Sequence, residues 1–367
     1  MIFLVMKTIV VLSNHHAWTY NLRGEILEAL VKDGNRVIVV VGYGNRIEDI
    51  KALGCEFIDV PFDRHGKNPF AELKLFWGYY KILKNIKPDV VLSYTIKPNL
   101  YGGYLCRLMD IPCVANITGL GTAIEYPSLL QKILLKVYKV AFKKMHKVMF
   151  QNTANRDMLL KYEIVKDNYV MLPGSGVNVN KFTILPMPEE STIGFVFISR
   201  IMKEKGIEQY LYAAKALKEK YTNVQFHICG FCEQAYESII SEYSEKGIII
   251  NHGMVNDVRE ILKDCHCLVL PTYYPEGLSN VLLESCASGR AIITTDRPGC
   301  KEVIDDGVNG YIVRAKDNED VLQKMEMFLT LPYNKKVEMG LAGREKVVNT
   351  FNRQIIVDKY LEIVHNI

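Results

Sequence analysis

The chain has no hydrophobic run long enough to cross a bilayer, no low-complexity tract and no short internal repeat. These absences argue against a membrane-spanning chain and against a repeat architecture. The apolar opening, residues 2–12, is interrupted by Lys7 and lacks both a basic leader and a small-residue cleavage site. A signal peptide is therefore not expected, and residues 8–12 read as a buried first strand. A second Cys-x-x-Cys is also missing. The nine cysteines are odd in number and scattered. Cys229 and Cys232 have redox-motif spacing, and Cys265 and Cys267 flank His266, but four converging ligands are not evident. Reduced thiols in a cytoplasm, buried or in loops, are the preferred reading, and no metal site is expected.

What is present is a folded chain of 367 residues, 49% hydrophobic and 23% charged. That length exceeds one ordinary core and calls for two domains. Residues 1–180 carry 23 Lys+Arg against 15 Asp+Glu, and residues 181–367 carry 22 against 26. The basic first half suggests an anionic partner there, a phosphate ligand or an acidic bilayer. Short β-branched runs alternate with helical patterns: strands at 8–12, 36–41, 57–60, 89–93 and 112–116, helices at 22–32, 47–53, 70–85 and 100–109. After a Pro/Gly-rich stretch, 173–191, the rhythm restarts. Strands are expected at 194–199, 225–229, 248–251, 267–271 and 291–295. Helices are expected at 207–221, 234–246, 255–264, 278–288, 317–331, 334–348 and about 353–365. This is an α/β chain with two doubly wound parallel sheets. Such sheets bind ligands outside the carboxyl ends of their strands, and two of them facing each other would enclose a cleft.

The strongest chemical signal is Glu276-Gly-Leu-Ser-Asn-Val-Leu-Leu-Glu284, after a strand and at the start of a helix. Free N–H groups and the positive dipole end there suit a phosphate. The two glutamates are up to roughly 12 Å apart along a helix, so one could grip sugar hydroxyls and the other ribose hydroxyls. A solvated glutamate before an ordinary amphipathic helix would read the same way. The second signal is Ser199-Arg-Ile-Met-Lys-Glu-Lys-Gly206, between strand and helix. Arg200 and Lys205 are placed there to neutralise a diphosphate. A polar loop with surface lysines explains Lys203 better than Arg200, which abuts a buried strand.

Taken with Gly230 after a strand and Pro298-Gly-Cys300…Gly307-x-x-Gly310, these motifs resemble the retaining family-4 glycosyltransferases of the GT-B fold. The likeness spans nearly the whole C-terminal half. It implies two Rossmann-like domains facing across a cleft: residues 1–176 on the acceptor side, 177–350 on the donor side, and a helix at 351–367 returning to the first. It implies that Arg200 and Lys205 bind the donor diphosphate and that Glu276 contacts the donor sugar, the three catalytic candidates. Gly230, Gly277, Leu278, Ser279, Asn280 and Glu284 would bind the rest of the donor, Glu284 through ribose. Ser93-Tyr-Thr-Ile-Lys-Pro-Asn99 and Asn116-Ile-Thr-Gly-Leu-Gly121 are similar to segments of bacterial enzymes that extend polyprenyl-diphosphate-linked sugars, some with N-acetylgalactosamine from its uridine diphosphate. Lys97, Thr118 and Gly119 are then acceptor-side candidates. The histidine many relatives carry in the Thr118 loop is absent, as are the paired glycines after the first strand, where the next glycine is Gly24. His15 and His16, with Trp18, either line the acceptor side or are a packed indole with two solvated imidazoles.

Residues 129–148 hold six lysines and no acid, with Leu130, Ile133, Leu134, Val137, Val140 and Ala141 at helical spacing. The segment either lies on an anionic bilayer, with Tyr138 and Phe142 flanking the lysines, or packs on the sheet with its lysines in water. Gly42-Tyr-Gly-Asn-Arg-Ile47 lacks the third glycine of a dinucleotide fingerprint.

The expectation is a cytoplasmic enzyme peripheral to the plasma membrane, without cofactor, metal or nucleic-acid partner. It would transfer a hexose or N-acetylhexosamine, with retention, from a nucleotide diphosphate sugar, UDP-GalNAc among the candidates, to a lipid-linked saccharide in surface polysaccharide synthesis. An epimerase or hydrolase on the same fold, or a non-catalytic nucleotide-sugar-binding subunit, are the alternatives.

Overall fold

The computed structural model describes residues 6–60, 69–275 and 277–367. Along the chain run β1 (Thr8–Leu12), α1 (His16–Lys32), β2 (Arg36–Val41), α2 (Ile47–Ala52), β3 (Glu56–Asp59), α3 (Pro69–Ile86), β4 (Val90–Tyr94) and α4 (Ile96–Met109). Next come β5 (Cys113–Ile117), α5 (Thr122–Glu125), α6 (Leu129–Ala141), β6 (Lys147–Phe150), α7 (Thr153–Lys161) and β7 (Tyr169–Met171). The second half holds β8 (Ile193–Ile198), α8 (Ile207–Lys220), β9 (Val224–Cys229), α9 (Glu237–Glu245), β10 (Ile250–Asn251), α10 (Arg259–Leu262) and β11 (Cys267–Leu270). It closes with α11 (Asn280–Ala287), β12 (Ala291–Thr295), β13 (Gly310–Val313), α12 (Asn318–Thr330), α13 (Tyr333–Thr350) and α14 (Arg353–His365).

These elements form two compact units. One runs to Gly176 and takes back Arg353–Ile367, and the other is Val177–Asn352. In the first, the sheet order is β3-β2-β1-β4-β5-β6-β7, and in the second β10-β9-β8-β11-β12-β13. All of these pairings are parallel. The continuous apolar strands follow from burial on both faces. Ile9 and Val11 pack with α1 and α14 through Ile26, Leu27 and Ile356. Val10 and Leu12 pack on the other face with α3, α4 and α6 through Leu75, Leu105 and Tyr138.

Three arginines, two of them buried, fasten the passage between the units to its neighbours by donating to backbone carbonyls. Arg353 donates to Gly176 O at 2.8 Å and to Glu25 at 2.8 Å. Arg290, wholly buried, donates to Leu262 O, Leu185 O and Pro186 O at 2.9, 3.0 and 2.8 Å. Arg344 holds Ala287 O and Val179 O at 2.7 and 2.9 Å. Residues 177–186 are thus part of the second unit's packing, with Val179 and Phe182 in its core.

Several element readings change. α1 starts at His16, well before position 22, because His15 caps it through Nδ1. The expected helix over 129–148 ends at Ala141: Phe142 to Met145 form a turn, and His146 N donates to Cys113 O at 2.9 Å, leading the chain into β6. Tyr138 and Phe142 do not flank lysines. They are 1% and 2% exposed and pack edge-to-face in the core. The helix expected over 255–264 contracts to α10. The strands β6, β7 and β13 and the helix α7 are additions.

His227 and His266 are pushed down to about 4, chiefly by burial. His266 Nδ1 accepts from Gly194 N at 3.1 Å, and His227 shares an N···N hydrogen bond of 2.9 Å with His252. Both arrangements need a neutral ring. With a folded-state value below the ordinary 6.5, the unfolded chain takes up the proton first. The second unit should therefore keep its stability above about pH 7 and lose it as pH falls from about 6.5 towards 4. Thermal melts across that range check this. His266→Asn, whose carbonyl oxygen can still accept from Gly194, should flatten the acid limb.

Candidate active site

At the carboxyl edge of the second sheet, pairing continues past β8. Ser199 N donates to Cys229 O at 3.1 Å and Ile201 N to Phe231 O at 2.8 Å. The two strand ends then approach so closely that a Cβ on Gly230, at φ +143°, would lie 1.9 Å from Ser199 O. Beyond Arg200, residues Lys203–Lys205 make a short 3-10 turn that ends on Gly206, at φ +83°. A Cβ there would meet Pro271 O at 2.3 Å, so only glycine lets this turn press against the end of β11. The contact is sealed by Glu204 O, which accepts from Tyr273 N at 2.8 Å and from Thr272 Oγ1 at 3.2 Å.

This seam brings the two expected cations together. The Arg200 guanidinium carbon lies 5.6 Å, and the Lys205 ammonium 4.9 Å, from the centroid of the same ring, Tyr274. Both are within cation–π range. Lys205 is only 8% exposed, and Arg200 faces Glu233 at 3.8 Å. Tyr274 and Glu233 carry no motif of their own. No spacing in the sequence points to either, because the two are brought to the cations only by the fold.

A few residues after Tyr274 begins α11. Its cap residue Ser279 is extended but makes no side-chain cap, and the first turn holds no acid. Ser279 N instead donates to Gly299 O at 2.8 Å, and Gly299 N donates to Glu302 at 2.7 Å. The Pro298-Gly299-Cys300 segment therefore buttresses the helix start. Gly277, Leu278 and Ser279 form its buried approach. Asn280 Oδ1 is buried without a hydrogen-bond partner. Glu284, half-buried, follows one turn later on the same face. Glu276 lies outside the described residues. The helix starts at Asn280, so helical rise cannot be used to space the two glutamates. Two cations, a helix N-terminus and a carboxylate one turn along are the kinds of group that can seat a polyanion next to a polyol.

In the first unit the strand order reverses between β1 and β4, with α1 and α4 on opposite faces, so the loops after these strands diverge. That is where a crevice opens in such sheets. His15 follows β1, Lys97 follows β4, and Thr118 and Gly119 follow β5, on three neighbouring strands. His15 stacks on His16 at 4.6 Å and meets the Trp18 ring at a tilt at 5.4 Å. The His16 ring fills the space a Cβ on Gly44 would need, which accounts for the glycine of the incomplete fingerprint. Burial, then Arg46, lowers its pKa. Lys97 is bound to Glu72 at 2.6 Å, and Tyr101 donates to the other oxygen at 2.6 Å. Its charge is therefore countered within the unit. Thr95 was not singled out from sequence, yet it is at φ 70°, ψ 171° with its hydroxyl buried and unpartnered. Below these loops Asn116 donates to Tyr360 of α14 at 2.8 Å, and Asn99 donates to Asn116 O at 3.0 Å.

Among the described residues no three His, Cys, Asp or Glu side chains are placed to hold a metal ion. An open depression of about 520 Å³ along Arg314–Glu319 is lined by groups that pair internally, such as Arg314 with Asp317 at 3.0 Å.

Known proteins resemble this chain along most of its length. The family described as "Glycosyl transferases group 1" matches residues 184–346, and "Glycosyl transferase 4-like" matches residues 9–152. The N,N'-diacetylbacillosaminyl-diphospho-undecaprenol alpha-1,3-N-acetylgalactosaminyltransferase of Campylobacter jejuni is 27% identical, over 96% of each chain. The UDP-Gal:alpha-D-GlcNAc-diphosphoundecaprenol alpha-1,3-galactosyltransferase of Escherichia coli is 25% identical, over 80% of this chain and 81% of that one. A crystal structure of a glycosyltransferase from Rickettsia africae superposes with a TM-score of 0.79 at 20% identity, over 99% of this chain and 100% of that one. The chain belongs to the family-4-like glycosyltransferases of the GT-B fold. It is a glycosyltransferase with a role in polysaccharide biosynthesis.

Gly206→Ala should cost at least about 2 kcal/mol, through left-handed strain and the clash with Pro271 O. Arg200→Ala, which removes no core contact, should stay within about 0.5 kcal/mol of the parent. Denaturant titration measures both.

Proposed function

We propose that the chain transfers a hexose or N-acetylhexosamine, with retention of anomeric configuration, from a uridine diphosphate sugar to a saccharide carried on a polyprenyl diphosphate. UDP-GalNAc is the first donor to try. The observation that carries the reading is the convergence of Arg200 and Lys205 on Tyr274 at the start of α11. It is supported by two relatives whose names specify diphospho-undecaprenol-linked substrates, one with a UDP-galactose donor.

In this reading the donor diphosphate lies against Arg200, Lys205 and the first amides of α11, with Glu284 on ribose and Glu276 on the sugar. Gly230, Gly277, Leu278, Ser279 and Asn280 shape the rest of the seat. As the bond from the anomeric carbon to the diphosphate oxygen breaks, negative charge grows on that oxygen. The two cations stabilise it most in the transition state. The acceptor hydroxyl bonds to the anomeric carbon on the face the diphosphate leaves, and its proton passes to the departing phosphate oxygen. The cations and the helix end supply the electrostatic stabilisation, so the proposed reaction needs no metal ion. His15, His16, Lys97, Thr118 and Gly119 belong to the acceptor side, with Lys97 acting as part of its pair with Glu72. The enzyme works at the cytoplasmic face of the membrane, touching it through α6. No helix among the described residues is long and apolar enough to cross a membrane.

Arg200→Ala should lower kcat by about two orders of magnitude or more, since removing such a donor costs about 3–4 kcal/mol of barrier. An unchanged rate overturns the assignment. Product NMR should show the donor's anomeric configuration, with full activity in EDTA. Donor should be consumed only when acceptor is present. Consumption without acceptor would indicate an epimerase or hydrolase, and no consumption with any acceptor a binding subunit.

A further inference from the structure

We infer that the outward faces of α3 and α6 together form a docking surface for an anionic lipid bilayer, with Leu73 and Trp77 of α3 entering the interface beside the lysine-flanked stripe of α6. The inference rests on the lipid-linked acceptor proposed above and extends the contact beyond α6 to an element that sequence patterning did not mark.

The two helices share one face of the first sheet. Leu75, Tyr79 and Leu83 of α3 and Leu135, Tyr138 and Ala141 of α6 enter the same core, with Leu100 and Leu105 of α4. α4 packs against both: Phe76 meets Tyr101 at 6.0 Å, and Arg107 donates to Val140 O at 3.0 Å. At 100° per residue, positions 73 and 77 fall on the side of α3 opposite its buried residues. Leu73 is 55% and Trp77 50% exposed, with exposed Lys74, Lys81 and Lys84 around them. On α6, Leu129, Leu130, Ile133, Val137 and Val140 are 40–75% exposed. Lys132, Lys136 and Lys139 recur at the same spacing on the adjoining stripe, and Lys143 follows in the turn after the helix, all exposed. The acids nearby are tied up: Glu72 by Lys97 and Tyr101, Glu163 by Lys139 at 3.2 Å, and Asp110 by Lys144 at 2.8 Å.

The occupant follows from this composition. Apolar side chains left in water on the two helices that flank α4 lose the stabilisation that burial would give them. A protein partner is disfavoured because lysine is depleted in protein interfaces. A second copy docked symmetrically would set lysine stripe against lysine stripe. A bilayer of acidic lipid satisfies both stripes, since leucine and isoleucine enter the acyl boundary while lysines reach the headgroups. Tryptophan is the side chain most at home at that boundary. Each lysine near such a surface adds an attraction that salt screens.

The chain has two tryptophans, so Trp18→Phe leaves Trp77 as the sole indole reporter. With vesicles of phosphatidylglycerol, Trp77 emission should shift to the blue and be quenched by brominated acyl chains. With phosphatidylcholine alone, or in high salt, it should not. In the parent, the pair of substitutions Leu73→Ser and Trp77→Ser should weaken vesicle binding by about tenfold or more. Turnover of a soluble short-chain acceptor should be unchanged, and the circular dichroism retained. If the protein sediments with phosphatidylglycerol vesicles while Trp77 stays unshifted and unquenched, α3 is no part of the contact and the proposed two-helix surface is overturned. Failure to sediment at all overturns the whole surface. Concentration-dependent dimers that shift Trp77 without lipid would make the face an interface between copies. Transfer to the soluble acceptor, measured alongside, reports on the proposed activity separately.

Discussion

A single carbonyl oxygen, that of Glu204, holds the candidate donor site together. It accepts from Tyr273 N and Thr272 Oγ1, so the turn after β8 and the loop after β11 cannot separate without leaving these groups unsatisfied. Gly206 makes the approach sterically allowed, and Tyr274, next in the loop, receives both cations over one ring. The start of α11 follows that loop in the chain and is held by Gly299, whose carbonyl accepts from Ser279 N. Moving any one of these parts would separate the guanidinium, the ammonium and the helix end. Backbone hydrogen bonds and two glycines, not the charged side chains themselves, decide the geometry of the charges.

The first unit uses polar burial in a comparable way. Tyr360, on the last helix, bonds Asn116 at the carboxyl end of β5, and Arg23 lies 4.9 Å from the ring centroid of Tyr94 at the end of β4. Arg353 ties the same helix to Gly176, where the chain leaves this unit. Returning the chain terminus to the sheet thus stiffens the strand ends from which His15, Lys97 and Thr118 project. Thr95, among them, is held in backbone space that a side chain seldom occupies. Residues in such strain are kept where the surroundings over-determine them, and they gather at functional sites.

Much of this was legible in the sequence where physics acts locally. The β-branched strands, the restart after the Pro/Gly-rich stretch and Gly230 at its strand end follow from burial and close approach, and they frame the Arg200 loop and the start of α11. Tyr274 and Glu233 were not legible, because their role depends on the tertiary seam and no spacing encodes it. The tail of the 129–148 segment misled for a related reason. Lysine and apolar residues at helical spacing continue past Ala141, but hydrogen bonding to Cys113 draws that tail into a strand. The exposed stripe on α3 was hidden by its own richness in apolar residues, since periodicity alone does not say which face meets the core. Lys97 reads as a lone cation in sequence. Glu72, 25 positions away, becomes visible as its partner only in the fold.

The most direct measurement of the central claim is a crystal structure with a bound uridine diphosphate sugar. The account predicts the diphosphate against Arg200, Lys205 and the backbone N–H groups that open α11, with Tyr274 alongside and ribose next to Glu284. A donor bound elsewhere, with that helix start left to solvent, would contradict it.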